Sequence, residues 1–148
     1  EKVQRDCAET GQRVPQTRGE IVRTVYESLA MSYRKAFEGL EQLRGGRIDV
    51  LHIVGGGARD NLLNQFAADA IGREVIAGPY EATAVGNLMM QVKSTGGVKD
   101  WGEMRDVIAR SFAVKRFAPE SADQWAEAYE TYKKVIARRT ANQASGRV

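Results

Sequence analysis

The sequence is short of the residues that mark several classes of protein. It has one cysteine, Cys7, so no internal disulfide can form, and an ordinary thiol in a reducing, cytoplasmic setting is expected. No apolar run approaches the roughly 20 residues needed to cross a bilayer. No basic start followed by an apolar stretch marks a secretory leader. The formal net charge is only +3, and the lysines and arginines are scattered among acids, which argues against a nucleic-acid partner. No His/Cys cluster has metal-ligand spacing, so no metal site is expected within the chain. No serine, histidine and acid form a nucleophilic arrangement, and the absence of G-K-S/T excludes a phosphate loop of the Walker type. There is no internal repeat and no low-complexity tract.

What is present is one run of 148 residues, enough for a single domain or for part of a larger protein. Its centre of interest is IVGGGARDNLLNQFAADAIG, residues 53–72. An apolar run over 48–54 ends in Gly55, Gly56 and Gly57, and an amphipathic run over 61–71 follows. The pattern predicts strand, glycine turn and helix. Glycine has no Cβ and lets a ligand touch the main chain. A helix start aims free N–H groups and partial positive charge at the same space, which suits phosphate or nucleotide. A tight turn with close packing would give the same glycines.

Around this centre the chain punctuates itself clearly. Residues 1–16 are polar and read as irregular, with Gly11 and Pro15 as breakers. Thr17 and Glu20 have capping-box spacing. Ile21, Val25, Leu29, Tyr33, Ala36, Phe37, Leu40 and Leu43 then recur at helical intervals until Gly45 and Gly46. The run over 48–54 is apolar on both faces, as in a strand covered on both sides of a parallel or mixed sheet, and His52 within it reads as a packed residue. Asp60 is an N-cap for a helix whose Leu62, Leu63, Phe66, Ala67, Ala70 and Ile71 share one face and are expected to pack on that strand. A short strand follows over 73–77, then a turn at Gly78 and Pro79. Residues 81–92 read as a helix in which Gly86 marks a close approach. Asp100 and Glu103 cap another helix, 112–117 is a short extended segment, and Ser121 and Gln124 cap a last helix with the stripe Trp125, Tyr129, Tyr132 and Ile136. Residues 140–148 form a polar tail.

The chemistry in these elements is limited. GGGARD supplies Gly55 and Gly57 of a dinucleotide fingerprint, but Asp60 stands where the third glycine belongs. Asp49, Asp60, Asp69 and Glu81 lie near the turn in sequence, and none is distinguished as a general base. The residues themselves lead to a nucleotide-binding α/β domain without an identifiable catalytic residue.

The stretch LHIVGGGARDNLLNQFAADAIGREVIAGPYEATAVGNLMMQ resembles the C-terminal domain of the FGGY family of carbohydrate kinases. The family pattern is a strand, G-G-G/A, L-x-x-Q-x-x-A-D, a short strand and E-A-T-A-x-G. Leu62, Gln65, Ala68, Asp69 and residues 81–86 meet it. HIVGGG, VIAGP and the Gly86-Asn87 pair, with CAETGQ and QLRG before and RFAPE after, resemble most the branch that acts on L-rhamnulose.

This resemblance implies an actin-like, ribonuclease-H-like α/β fold, its sheet strands flanked by helices, in which ATP lies mainly on the second of two domains and the sugar on the first. It implies transfer of the ATP γ-phosphoryl group to the 1-hydroxyl of L-rhamnulose, with Mg2+ screening phosphate charge and an Asp of the first domain as base. By position, Gly56 and Gly57 become the adenosine-binding residues. Asp60, where relatives often carry Asn, is a further candidate, although an ionised carboxylate cannot donate a hydrogen bond. Residues 1–139 would then be the C-terminal portion of the second domain and 140–148 a tail. There is no room here for the first domain, and Glu1 is not an initiating Met, so the rest of a kinase chain is the expected partner. A non-catalytic nucleotide-binding or interaction module and a kinase of another sugar are the alternatives. A dinucleotide-dependent oxidoreductase is disfavoured by Asp60 and by the missing acid after the second strand.

Overall fold

The computed structural model of the protein describes residues 1–144. Thr17 opens the longest element. Its hydroxyl accepts from the Glu20 N–H at 3.2 Å while the Glu20 carboxylate accepts from the Thr17 N–H at 3.0 Å, closing the expected capping box. The helix runs over Arg18–Arg44 and stops at Gly45, whose φ of 70° closes it in the left-handed region. We call it α2, because Lys2–Glu9 forms a helix α1 before it. Residues 1–16 are therefore not irregular throughout. The polar composition hid a short amphipathic turn of chain that buries Cys7 and packs on α2. Gln4 adds a hydrogen bond from its amide to the Pro15 carbonyl at 3.0 Å.

Strand β1, Val50–Ile53, enters the sheet beside β2, Glu74–Ala77, in parallel register, with Leu51 opposite Val75. Between them come a 3-10 turn, Gly55–Arg59, and helix α3, Asn61–Ile71. This is a strand–turn–helix–strand unit, closed by Gly72 in the left-handed region. Helices α4, Ala82–Ser94, and α5, Trp101–Ser111, follow, and α5 starts at Asp100 as expected, its Oδ1 accepting from the Glu103 N–H at 2.9 Å. Strand β3, Lys115–Phe117, pairs antiparallel with β2, giving the order β1-β2-β3. The last helix, α6, spans Ala122–Ala144. It continues past residue 140, and the remainder of the expected tail, 145–148, lies outside the described residues.

The core is where α2 and α3 meet the sheet. Phe37, Ala67, Ala68, Ile71 and Val75 are buried together, with Tyr33, Ile48, Leu51 and Phe117 closing around them. The alanines of α3 let α2 approach closely, and α2 and α3 form the most extensive contact between any two elements. Several expectations fail at the margins of this core. Leu62 is exposed, and Phe66 is half-buried against Trp125 of α6, with ring centroids 5.1 Å apart, rather than on β1. The α3 face is rotated because α6 claims one side of the helix. His52 is exposed because successive strand side chains alternate between faces: Leu51 and Ile53 pack on the core and His52 points to the other face. Val25, Leu29, Leu40 and Leu43 of α2 are exposed as well. Around Gly86 nothing lies within 4 Å of an added Cβ, so its expected close approach is absent.

Candidate functional site

In open α/β sheets the C-terminal ends of parallel strands are where ligands collect, because the loops there can open a crevice. Here the C-terminal ends of β1 and β2 lead into the glycine turn and into the Gly78–Pro79 loop before α4. The two loops are tied to each other. The Gly78 N–H donates to the Ile53 carbonyl at 2.8 Å, and the Gly55 N–H donates to the Pro79 carbonyl at 3.1 Å.

The three glycines of the turn do different things. Gly55 has φ +74°, a conformation that strains any residue with a Cβ. Gly57 has an ordinary φ, and a Cβ there would sit 3.7 Å from Ile53 Cγ2, a normal contact. At Gly56 the φ is also ordinary and a Cβ would meet nothing within 4 Å. Gly55 is thus explained by backbone geometry, while Gly56 is required neither by its backbone nor by its neighbours.

The turn does not pass directly into the helix. Its last carbonyls face inward, and Asp60 intervenes. Asp60 caps α3 as expected, its Oδ1 accepting from the Leu63 N–H at 3.1 Å. Its Oδ2 accepts from the Tyr26 hydroxyl at 2.5 Å. The Tyr26 hydrogen bond, followed by that from Leu63, holds the Asp60 carboxyl below its ordinary range, and the same contact pushes the Tyr26 phenol up. The start of α3 therefore already carries its own anion. Of the N–H groups expected there for a phosphate, that of Leu63 is engaged by the Asp60 carboxylate.

Asn64, fully buried one turn into α3, donates from Nδ2 to the Ala58 carbonyl at 3.1 Å, and its Oδ1 has no hydrogen-bond partner. The donor bond fixes which way the amide points. On the open side of the turn, Arg59 lies 5.4 Å from the Tyr80 ring centroid and pairs with Glu81 at 3.0 Å. Both charges are well exposed, so the pair orients the Arg59 side chain more than it stabilises the fold.

Of the acids near the turn in sequence, only Asp60 and Glu81 lie at it. Asp49 pairs with Arg47 at 3.0 Å. Asp69 sits at the far end of α3 and serves α6. It accepts from the backbone N–H of Glu120 at 2.6 Å and from the Ser121 hydroxyl at 3.1 Å, while Gln65 donates to the Ala118 carbonyl at 2.8 Å. Ser121 stands immediately before α6, as expected, and its hydroxyl donates to Asp69. Gln65 and Asp69 of the L-x-x-Q-x-x-A-D pattern thus join helix to helix. Tyr26 and Asn64 were not picked out from the sequence, and Asp69, noted there as an acid near the turn, serves α6 instead. For Asn64 a signal existed: it shares the spacing of Ala67, Ala68 and Ile71, so a polar residue stood on the buried face. Tyr26 offered none, since its partner lies 34 positions away.

A separate groove of about 670 Å3 lies between α1, α2 and α6, lined by Val3, Cys7, Leu29, Met31, Tyr132 and Ile136 among others. It includes no residue of the glycine turn, and it lacks the strand ends that give the turn its chemistry. Burial, with the Asp6 carboxylate adding to it, pushes the Cys7 thiol upward, which leaves it unreactive. Among the described residues no three His, Cys, Asp or Glu side chains converge as metal ligands, and no helix is long and apolar enough to cross a membrane.

A parallel strand pair with cross-tied loops and an open glycine turn defines an α/β domain with a ligand-receiving edge. Residues 2–95 match the model of the FGGY family of carbohydrate kinases, C-terminal domain, and the chain belongs to that family. It is 47% identical over 130 residues to a rhamnulokinase of Bacteroides thetaiotaomicron, covering 88% of this chain and 27% of that protein. With a rhamnulokinase of Bacillus subtilis it shares 44% over 123 residues, 83% of this chain and 25% of the relative. The chain thus spans about a quarter of the length of these curated relatives. The crystal structure of xylulose kinase from Rhodospirillum rubrum superposes with a TM-score of 0.63 at 26% identity, over 90% of this chain and 27% of that one. The fold is accordingly that of a sugar kinase, of the actin-like, ribonuclease-H-like class.

Proposed function

We propose that this chain is the ATP-side part of a sugar kinase, in which Gly56 and Gly57 form the surface on which the adenosine rests and Asp60 borders it. The observation that carries this reading is Gly56 itself: it lies at the C-terminal end of a parallel strand, and neither its φ nor its packing calls for glycine. A ligand lying against the main chain does call for it. In this reading residues 1–139 belong to the C-terminal portion of the second kinase domain, helix α6 carries that portion on past the expected start of a tail at residue 140, and a first domain completes the enzyme.

The acceptor we propose is L-rhamnulose, supported by the relatives named rhamnulokinase at 47% and 44% identity. The oxygen of its 1-hydroxyl bonds to the γ-phosphorus as the bond from that phosphorus to the bridging oxygen breaks. ADP and L-rhamnulose 1-phosphate result, and the hydroxyl proton passes to a base outside this chain. Catalysis of this kind rests on positioning and electrostatics, and the part assigned to this chain is to hold the nucleoside end of ATP. Mg2+ is proposed as a cofactor of the complete enzyme and a cytoplasmic setting as its location. Among the described residues no three His, Cys, Asp or Glu side chains converge, so this part of the chain offers no all-protein cage, and Mg2+ would be carried chiefly on the phosphates of ATP.

The test is Gly56→Val in the complete kinase. The KM for ATP should rise at least about tenfold, with the KM for L-rhamnulose within about twofold of wild type. Equal effects on both substrates with an unchanged fold would move the nucleotide elsewhere.

A further inference from the structure

The turn is held from two sides by side chains that lie outside the Gly55–Gly57 segment itself. Asn64 holds it from within, through the Ala58 carbonyl. Tyr26 holds it from α2, through Asp60. The second tie has no counterpart in local sequence logic, since an N-cap works with one side-chain oxygen and Asp60 already uses Oδ1 on Leu63. Tyr26 is also only half-buried, so its hydroxyl could turn to water and burial does not force this bond. What the bond does is fix Asp60, and with it the chain that leaves the turn. The Asp60 N–H donates to the Gly57 carbonyl at 3.2 Å, and its own carbonyl accepts from the Asn64 N–H at 3.0 Å. Rotation at Asp60 would therefore move Gly57 directly.

The geometry points to Tyr26 as a positioning residue for the nucleotide, acting through Asp60 on the Gly56–Gly57 surface. This inference rests on the reading of that surface as the adenosine site. Tyr26 touches neither substrate nor reacting atoms. Its hydroxyl keeps the Asp60 carboxylate seated on the start of α3, and so keeps the glycine turn in the shape that meets the ligand. A turn free to shift binds the nucleotide less tightly, because part of the binding free energy is then spent on ordering it. The sugar, held elsewhere, does not register the change.

The experiment uses the complete kinase with Tyr26→Phe, which removes one hydroxyl and keeps the ring. The KM for ATP should rise about three- to tenfold, with kcat and the KM for the sugar within about twofold. Asp60→Ala, which removes the acceptor of the Tyr26 hydroxyl, should raise the KM for ATP by at least as large a factor. The double variant should be no worse than the poorer single one by more than about twofold, as residues acting through one bond are non-additive. An unchanged KM for ATP in Tyr26→Phe, in an enzyme where Gly56→Val raises it, overturns the role of Tyr26 and leaves the nucleotide site standing. Effects that add across the pair, or a fall in kcat with both KM values unchanged, likewise overturn it as a merely structural contact. If Gly56→Val leaves the KM for ATP unchanged, the site reading itself fails and the inference falls with it.

Discussion

The Asp69 carboxylate on α3 accepts a hydrogen bond from the Ser121 hydroxyl at 3.1 Å while also receiving the backbone N–H of Glu120. Asp69 is almost fully buried, so the far end of α3 holds a charge whose compensation comes from the start of α6. The N-terminal end of α3 is held in the same manner by Asp60 and Tyr26. One helix, with a carboxylate near each end, thus joins the glycine turn to the last helix of the chain.

Asp69→Ala should detach α6 more than it disturbs the sheet. Removing the acceptor leaves buried donors unpaired, at a cost of about 2–3 kcal/mol. Hydrogen exchange on the complete enzyme should show faster exchange in residues 122–136, with β1 and β2 little changed. Uniform loss of protection would mean that α6 and the core open as one unit.

The glycines of the turn should separate by property. Gly55→Ala places a Cβ at φ +74° and should destabilise by about 1–2 kcal/mol. Gly56→Ala adds a Cβ to open space and should leave the unfolding midpoint within about 1 °C, since its folding cost is small. Thermal melts of the two variants without nucleotide check both statements.

Much of this fold was legible because it is written in local rules. Thr17 with Glu20, Asp100 with Glu103, Asp60 with Leu63, and Gly45 and Gly72 each act within one turn of helix, and each did what its spacing says. The glycine turn was legible as a location, as were the two parallel strands. What could not be read depends on distant partners or on missing ones. Phe66 faces Trp125 because α6 returns to lie beside α3, 59 positions on in the chain. His52 is exposed because it points to the face of β1 away from the core, and whether that face is covered is a matter of what stands next to it and not of its own apolar run. The helix α1 was hidden because a short helix with one buried side chain, Cys7, barely alters the hydrophobic pattern.

Tyr129 should prove the most valuable aromatic of α6. It is 2% exposed, and its hydroxyl donates to Glu38 Oε2 at 2.9 Å. Burial, then the Glu38 contact, pushes its phenol up to about 12. Tyr129→Phe should cost no more than about 1 kcal/mol, because Glu38 keeps Arg34 at 2.9 Å and is open to water, and Phe66→Ala, at a half-buried site, about 2–3 kcal/mol. Chemical denaturation of the two variants in parallel measures both, and a Tyr129→Phe variant as stable as wild type would show the Glu38 bond to be replaced by water.

The Tyr26–Asp60 bond sets a pH dependence. The Asp60 carboxyl is held low, so its contribution is present in full above the unfolded-state value of about 4 and is lost as pH falls through the folded-state value. The Tyr26 phenol is held high, so its contribution is present below about pH 10 and is lost as pH rises beyond it. The difference in thermal midpoint between wild type and Tyr26→Phe should therefore be flat from about pH 5 to 9 and shrink at acid pH. A difference that grows on acidification would reverse the sign of the linkage.

The two hydrogen bonds that cross between the strand ends, Gly78 to Ile53 and Gly55 to Pro79, make a yoke of the loops they join. Neither loop can swing without pulling its neighbour. Helix α4 departs from that yoke with only Met89 buried along its length, so little packing anchors it beyond its junction with the loops. Since opening one loop strains the other, the amide protons of Gly55 and Gly78 should exchange with solvent at one common rate.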